Sequence, residues 1–226
     1  MVDFIQPTAK ACYANREPGA GVGTLAVRML AAIGQPLKPG QAVVELGSGK
    51  CHFARYAASV CGCSIYAVDI APSTINRLVE LAVEGNRILP LHLDVSVNPL
   101  PLATDSIDAA VCTETIEHLS NPYFAVAEVK RVLKDGAPFA VTFPMPEALI
   151  GYGPGRHAYV YPGFLLGHSF ELFMRQLFFK QVEHIVFAER IACYVFSNYK
   201  GPAVRDVFDV VASDVDGSEV YGCLDG

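Results

Sequence analysis

Short apolar runs and longer amphipathic stretches alternate along the chain between residues 41 and 143. The apolar runs are rich in Val, Ile and Ala, a composition typical of strands buried on both faces. They predict strands at Ala42–Leu46, Ser64–Val68, Ile88–Leu93, Ile107–Cys112 and Pro138–Phe143. The stretches between them predict helices at Cys51–Val60, Ser73–Val83 and Tyr123–Leu133. This alternation favours a parallel sheet with right-handed crossovers, and therefore a doubly wound α/β fold.

Helix boundaries are marked by their usual residues. Asn121 followed by Pro122 predicts the cap and first turn of the third helix, and Gly136 predicts the stop after it. An apolar periodic stretch at Gly23–Ile33 predicts an earlier helix that Gly34 ends. Residues 1–40 are therefore interpreted as an N-terminal helical cap.

The segment from residue 144 to residue 200 departs from the alternation. Pro144–Gly163 is rich in Pro, Gly and Tyr, and a loop of this length is typical of a lid or binding loop. A helix is predicted at Phe164–Phe178, so residues 144–180 form a predicted substrate lid and helix. The strands Val182–Ala188 and Ile191–Ser197 flank a two-residue turn, which requires them to be antiparallel.

Composition and charge exclude several classes of protein. The 226 residues are 52% hydrophobic, yet no apolar run approaches the roughly 20 residues that span a bilayer. No secretory signal is visible at the N-terminus, so a cytoplasmic protein is expected. Of the net charge of −6, residues 201–226 carry −5, from six acids and one arginine. The body of the protein, residues 1–200, is predicted as a single near-neutral domain with an acidic tail, and it lacks the basic face that binds nucleic acid.

The cysteines predict neither a disulfide framework nor a metal site. There are seven of them, an odd number, and none forms a CxxC pair. We therefore expect reduced thiols and no bound metal.

The strongest local motif is a glycine-containing turn between the first strand and the first helix, Glu45-Leu46-Gly47-Ser48-Gly49. Glycines allow a ligand to approach the backbone closely, and the helix that follows presents free N–H groups. A dinucleotide site would place a third small residue at the position of His52, which argues against NAD or FAD. The acidic Glu45 at the strand end also suits a cationic ligand better than a pyrophosphate.

Acids follow the next two strands as well. Asp69 lies 20 residues after Gly49, where doubly wound nucleotide-binding folds place a ribose-binding carboxylate. Asp94 ends the third strand, where its carboxylate suits an adenine amino group and Val95 suits the adenine ring. Ligands in such sheets bind beyond the carboxyl ends of the strands, so a polar cluster after the fourth strand, around Glu114, is expected to border the same ligand.

Taken together, these motifs resemble the class I S-adenosylmethionine-dependent methyltransferases, in particular the small-molecule branch that includes ubiquinone and menaquinone biosynthesis enzymes. The glycine turn is similar to the family's E/DxGxGxG loop, and Ile116-Glu117-His118-Leu119 is similar to its stretch after the fourth strand. The resemblance covers roughly residues 38–145. It departs from the family at Cys51, which stands where the third glycine is expected, and no Asn/Asp-Pro-Pro-Tyr tetrapeptide follows the fourth strand.

The resemblance implies a Rossmann-like seven-stranded sheet of order 3-2-1-4-5-7-6 with strand 7 antiparallel. It implies S-adenosylmethionine as the cofactor and a small molecule that accepts the methyl group at oxygen, carbon or nitrogen. The oligomeric state is left open, a homodimer included. The implied cofactor-binding residues are Glu45, Gly47, Ser48, Gly49, Asp69, Ile70, Asp94, Val95, Thr113 and Glu114.

Candidates for the acceptor side come from two places. His118 and His157 are the candidate catalytic bases, and Tyr152, Tyr159 and Tyr161 of the lid are candidate lining residues for an acceptor pocket. Two alternatives stay open at this point. One is a non-catalytic protein that binds S-adenosylmethionine or S-adenosylhomocysteine, and the other is a nicotinamide-dependent oxidoreductase.

Overall fold

The computed structural model describes residues 27, 30, 31, 34–83, 87–144, 167–177, 179–187 and 191–200. The strands are β1 (Ala42–Leu46), β2 (Ser64–Asp69), β3 (Ile88–His92), β4 (Ala109–Thr113), β5 (Pro138–Pro144), β6 (Phe179–Phe187) and β7 (Ile191–Asn198). The helices are α1 (His52–Ser59), α2 (Pro72–Val83), α3 (Pro122–Val132) and α4 (Gly167–Gln176), with a 3-10 turn at Ile116–His118.

The seven strands form one sheet of order β3-β2-β1-β4-β5-β7-β6. The first five strands are parallel, whereas β7 runs antiparallel to both β5 and β6. The implied strand order and the antiparallel seventh strand are therefore confirmed. The parallel arrangement places the carboxyl ends of β1, β2 and β4 side by side along one edge of the sheet.

The fourth strand begins two residues later than predicted. Ile107 makes an isolated bridge to Leu133, at the end of α3, in place of pairing in the sheet. Asp108 accepts a hydrogen bond from the amide of Ala42 (2.9 Å) and forms an ion pair with Lys134. Ile107 is thus held by the end of α3 and Asp108 by the bonds of its side chain, and regular strand pairing starts at Ala109.

The predicted start of α3 is confirmed. The Asn121 side chain accepts a hydrogen bond from the amide of Phe124 (3.1 Å), and Pro122 lies in the first turn, where its missing N–H costs no hydrogen bond. The helix ends at Val132, one residue before the predicted end, because Leu133 is extended and bridges to Ile107.

Both faces of the sheet are covered. On one face, α3 and α4 pack against alternate strand residues; buried members of this cluster include Val44, Cys112, Val141, Phe170 and Val126. On the other face, α1, α2 and Leu30 cover the remaining strand residues; members include Val43, Ile65, Val111, Phe53 and Leu78. The high apolar fraction of the sequence follows from this two-sided burial.

Several predicted features lie outside the described residues. They are most of the helix Gly23–Ile33, the lid between β5 and α4, the turn at Glu189–Arg190 and the tail 201–226. In the ranges that are described, no helix is long and apolar enough to cross a membrane.

Candidate functional site

The turn after β1 is held closely against β2 and the segment after β4. The amides of Gly47 and Ser48 both donate to the carbonyl of Val68 (2.8 and 3.1 Å). Gly47 has a φ of +73°, and a Cβ placed on it would lie 2.1 Å from Oγ1 of Thr115. The position therefore requires glycine both for its backbone conformation and for the space beside Thr115.

The end of the turn at Gly49 is not crowded by neighbouring atoms. Gly49 has a φ of +45°, and a Cβ there would meet no atom within 4 Å. Cys51 also has a positive φ, 62°, so this residue adopts the left-handed conformation that a glycine would adopt easily. Its thiol is buried, and burial raises its pKa to about 12, which makes the thiol unreactive at neutral pH.

Asp69 connects the end of β2 to the turn. Its Oδ2 accepts a hydrogen bond from the amide of Gly49 (2.8 Å), and its Oδ1 accepts one from the amide of Ala71 (2.8 Å). Burial raises its pKa, while these backbone N–H groups act in the opposite direction. Each oxygen of the carboxylate has a further lone pair, so it can still accept hydrogen bonds from a ligand hydroxyl.

Glu45 is a buried carboxyl group without a neutralising partner. The residue is 1% exposed, and its Oε2 has no hydrogen-bond partner among the described residues. Burial, and to a smaller extent the nearby charge of Asp69, raise its pKa to about 8. The hydroxyl of Ser48 beside it is buried without a partner in the same part of the structure.

A second acidic group follows β4. Glu114 has a φ of 48°, its amide donates to the carbonyl of Thr142 (2.9 Å), and burial raises its pKa to about 7. Glu117, in the 3-10 turn, is 1% exposed, and neither of its carboxylate oxygens has a hydrogen-bond partner in the described ranges. Burial and the charge of Glu114 raise its pKa well above the usual range. The Nε2 atom of His118 lies 3.4 Å from Oε1 of Glu117.

The remaining predicted cofactor residues surround these groups. Asp94 lies two residues beyond β3 and accepts a hydrogen bond from the amide of Ser96 (3.0 Å). Val95 is buried in the apolar cluster on the α3 face. Ile70 is the residue after β2, and Thr113 is the last residue of β4. The carbonyl of Thr113 accepts a hydrogen bond from the hydroxyl of Thr115 (2.9 Å).

Of the residues predicted to contact the methyl acceptor, only His118 lies in the described ranges. The structure places His118 beside Glu117, close to the end of β4. The candidate base His157 and the tyrosines Tyr152, Tyr159 and Tyr161 lie outside the described residues, so their roles stay predictions. Among the residues that are described, no three His, Cys, Asp or Glu side chains are grouped to hold a metal ion.

These residues suit a ligand that is cationic and carries a ribose. Buried carboxyl groups without partners are costly unless a cation or hydrogen-bond donors approach them. S-Adenosylmethionine carries a sulfonium, an ammonium group and ribose hydroxyls. Glu45 and the acids after β4 fit the positive groups, Asp69 fits the hydroxyls, and Gly49 leaves open space beside the turn.

Comparison with known proteins supports the same type of ligand. Residues 44–141 match the family model described as "methyltransferase domain". Residues 44–141 are thus similar to a methyltransferase domain. The matched segment runs from β1 to β5, so it contains every described element of the candidate site.

Two curated relatives illustrate the similarity in sequence. The chain is 33% identical over 107 residues to sterol methyltransferase-like 1 of Botryococcus braunii, covering 46% of this chain and 27% of the relative. It is 31% identical over 121 residues to dimethylglycine N-methyltransferase of Parasynechococcus marenigrum, covering 53% of this chain and 43% of the relative. The chain thus spans about a quarter to a half of the length of the curated relatives it matches.

Solved structures agree on the fold. A S-adenosylmethionine-dependent methyltransferase from Aquifex aeolicus has a TM-score of 0.61 at 19% identity, covering 79% of this chain and 94% of that one. Phosphoethanolamine N-methyltransferase 2 of Haemonchus contortus, solved with S-adenosylmethionine, has a TM-score of 0.65 at 16% identity, covering 88% of this chain and 59% of that one. At these identities the similarity supports the architecture alone.

Glu117 is the buried acid that the sequence analysis did not single out as a site residue. Its position belongs to the polar cluster after the fourth strand and to the stretch Ile116-Glu117-His118-Leu119 that resembles the family. A signal was present, because Glu117 is a second acid three positions after Glu114 and directly follows the apolar Ile116. The burial of its carboxyl group without a hydrogen-bond partner among the described residues follows only from the packing of the 3-10 turn.

Proposed function

We propose that this protein transfers the methyl group of S-adenosylmethionine to a small-molecule acceptor. The observation that carries the proposal is a pair of buried carboxyl groups at the carboxyl ends of β1 and β4. They are Glu45, whose Oε2 has no hydrogen-bond partner among the described residues, and Glu117, whose two oxygens have none. A cationic ligand removes the cost of burying these acids, and S-adenosylmethionine is cationic.

The proposed roles divide along the strand ends. Asp69 receives the ribose hydroxyls, Asp94 receives the adenine amino group, and the turn from Gly47 to Gly49 presents its backbone to the amino-acid part of the cofactor. The cofactor supplies an electrophilic methyl group on sulfur. The protein's part is to hold the acceptor in line with that bond, because positioning accounts for much of the acceleration of such displacements.

The proposal also concerns the chemical class of the methyl acceptor. A small molecule with an oxygen, carbon or nitrogen nucleophile remains the expectation. The curated relatives are named for sterol methylation and for N-methylation of sarcosine and dimethylglycine, which supports sterols and amines among the first acceptors to be tested. A resemblance to the ubiquinone branch adds phenols and quinols to the panel.

Two measurements test the proposal. S-Adenosylhomocysteine is expected to raise the melting temperature, and Asp69→Ala is expected to remove most of that rise, whereas Asp105→Ala, at an exposed loop aspartate, leaves it unchanged. A labelled-methyl screen over phenols, quinols, acids and amines then identifies the acceptor. No binding at millimolar cofactor contradicts the proposal, and binding without turnover of any acceptor favours the non-catalytic alternative.

A further inference from the structure

Glu114 and Glu117 are two carboxyl groups after β4 to which the roles above assign no part in proton transfer. They lie three residues apart after β4, and the charge of Glu114 acts on Glu117. Oε1 of Glu114 and both carboxylate oxygens of Glu117 are buried without a hydrogen-bond partner among the described residues. Two such groups cannot both ionise in a site of low dielectric constant unless a positive charge is brought to them.

The charge of the cofactor changes during the proposed reaction. Methyl transfer breaks the bond between sulfur and the methyl carbon and forms a bond from that carbon to the acceptor. The bonding electron pair stays on sulfur, so the positive sulfonium becomes a neutral thioether. An acceptor that attacks through an O–H or N–H group must also lose one proton.

We infer that the Glu114–Glu117 pair holds one proton fewer opposite the sulfonium than opposite the thioether, and that it takes up the proton the acceptor loses. This inference rests on the proposed function. The charge balance is complete, because the site loses the positive charge of the sulfonium and gains that of a proton. The pair is therefore a base only while the methyl donor is bound.

Other titratable groups face the pair from neighbouring elements. Cys112 on β4 and Cys193 on β7 are close enough for Glu114 to act on their pKa values; burial raises that of Cys193 to about 12 and that of Cys112 well above its usual range, so both thiols stay neutral. Nε2 of His118 lies 3.4 Å from Oε1 of Glu117, so this imidazole is a second candidate for the proton. Its contribution has to be separated by experiment.

Glu45 and Asp69 are the acids on β1 and β2. They lie on the side of the site assigned to the amino-acid and ribose parts of the ligand. S-Adenosylmethionine and S-adenosylhomocysteine share those parts and differ only in the methyl group and its charge. A comparison of the two ligands therefore cancels proton exchange at Glu45 and Asp69 and isolates the group that senses the sulfonium.

The test is calorimetric titration of the full chain with each ligand at pH 7, in buffers of different ionisation enthalpy. The slope of the observed heat against buffer enthalpy counts the protons released. We expect S-adenosylmethionine to release close to one proton more than S-adenosylhomocysteine. The ratio of the two affinities should correspondingly shift towards S-adenosylmethionine as pH rises, by up to tenfold per pH unit.

Substitutions identify the residue that releases the additional proton. Glu117→Gln is expected to abolish most of the difference in proton release and to weaken S-adenosylmethionine relative to S-adenosylhomocysteine, whereas Glu80→Gln, at an exposed position on α2, is expected to keep the difference. Equal proton release for the two ligands overturns the inference. So does a difference that persists in Glu117→Gln but disappears in His118→Asn or Glu45→Gln. Failure of both ligands to bind wild-type protein contradicts the proposed function itself, which is a separate outcome.

A fold control keeps the variants interpretable. Glu117→Gln must retain the wild-type unfolding transition, and Glu117→Asp, which keeps the charge but shortens the side chain, is expected to restore part of the proton difference. If Glu117→Gln does not fold, the pH dependence of the wild-type affinity ratio still decides the question. A ratio that is constant from pH 6 to pH 8 overturns the inference. Restoration of the wild-type pH dependence by added Mg²⁺ after chelation also overturns it, because the carboxylates then act as metal ligands.

Discussion

The amide of Gly49 donates a 2.8 Å hydrogen bond to Oδ2 of Asp69, twenty positions further along the chain. This bond joins the turn after β1 to the end of β2, the two segments assigned to the methionine and ribose parts of the cofactor. Asp69 is thus both a proposed ligand-binding residue and a support for the shape of the turn.

Replacing Asp69 should therefore weaken cofactor binding in two ways. Asp69→Asn keeps the size of the side chain but removes its charge and replaces one acceptor oxygen by an amide nitrogen. We expect the affinity for S-adenosylhomocysteine to fall at least tenfold, about 1.4 kcal/mol, measured by calorimetric titration. Asp105→Asn is the matched control, since Asp105 is exposed and bonds to Lys200 away from the strand ends that form the site. An unchanged affinity in Asp69→Asn would contradict the ribose role.

Gly47 and Gly40 form a pair that separates backbone strain from a steric clash. Both have a strongly positive φ, +73° and +84°, but only Gly47 faces another side chain, that of Thr115. Gly40→Ala should cost about 1 kcal/mol of unfolding free energy from its conformation alone. Gly47→Ala should cost at least about 1 kcal/mol more, because its Cβ would lie 2.1 Å from Oγ1 of Thr115. Urea denaturation measures both, and equal losses would show that the segment at Thr115 moves away without cost.

Features encoded by local pattern were predictable from the sequence. The turn at Gly47 and Gly49 lies between an apolar strand and an amphipathic helix, and Asp69 and Asp94 follow apolar strands. Each of these signals is contained within about ten residues, so periodicity and turn chemistry were sufficient. The start of α3 at Asn121 is predictable for the same reason.

Features that depend on distant contacts were not predictable. The true start of β4 depends on the bond from the Ala42 amide to Asp108, 66 positions away in sequence. The burial of Glu117 depends on how the 3-10 turn packs against β5. Local sequence carries no record of either contact, because both are made only when the sheet has assembled.

The buried carboxyl of Glu45 should make stability depend on pH. Its pKa is raised to about 8 in the folded protein, against 4.5 in its ordinary state. Since the folded pKa is the higher one, the stabilising effect is complete below pH 4.5 and is lost as pH rises towards 8. We expect the unfolding free energy of the ligand-free protein to fall by a few kcal/mol at most between pH 5 and pH 8, measured by urea denaturation.

Glu45→Gln removes this titration. The variant should lose stability less steeply with pH than wild type, and its advantage should be greatest near pH 8. Glu114 and Glu117 contribute a fall of the same sign, because their pKa values are raised as well, so the slope should be reduced but not abolished. Glu80→Gln, at an exposed position on α2, should leave the slope unchanged. A wild-type stability that rises from pH 5 to pH 8 would contradict the assignment of a raised pKa.

Asn198, the last residue of β7, is the polar side chain that fastens the antiparallel end of the sheet to α3. Its Nδ2 lies within 3.0–3.3 Å of three carbonyl oxygens at the end of that helix, those of Lys130, Leu133 and Lys134. Its Oδ1 accepts a hydrogen bond from Nζ of Lys130 (2.9 Å), and the residue is 1% exposed. The last carbonyls of a helix have no partner within the helix, so this amide supplies donors that they otherwise lack.

Asn198→Ala should therefore destabilise the protein by about 2–3 kcal/mol, because it leaves buried carbonyls without a donor and removes one of the acceptors of the Lys130 ammonium. Asn98→Ala is the matched control: Asn98 is exposed and bonds to a single carbonyl, that of Asp94, so its loss should cost less than about 0.5 kcal/mol. Chemical denaturation measures the free energy of unfolding of both variants. Because Asn198 lies at the amino end of β5, opposite the proposed ligand site, affinity for S-adenosylhomocysteine should be unchanged wherever the variant remains folded. Equal losses in the two variants would show that water replaces the Asn198 amide, and that the end of α3 does not depend on it.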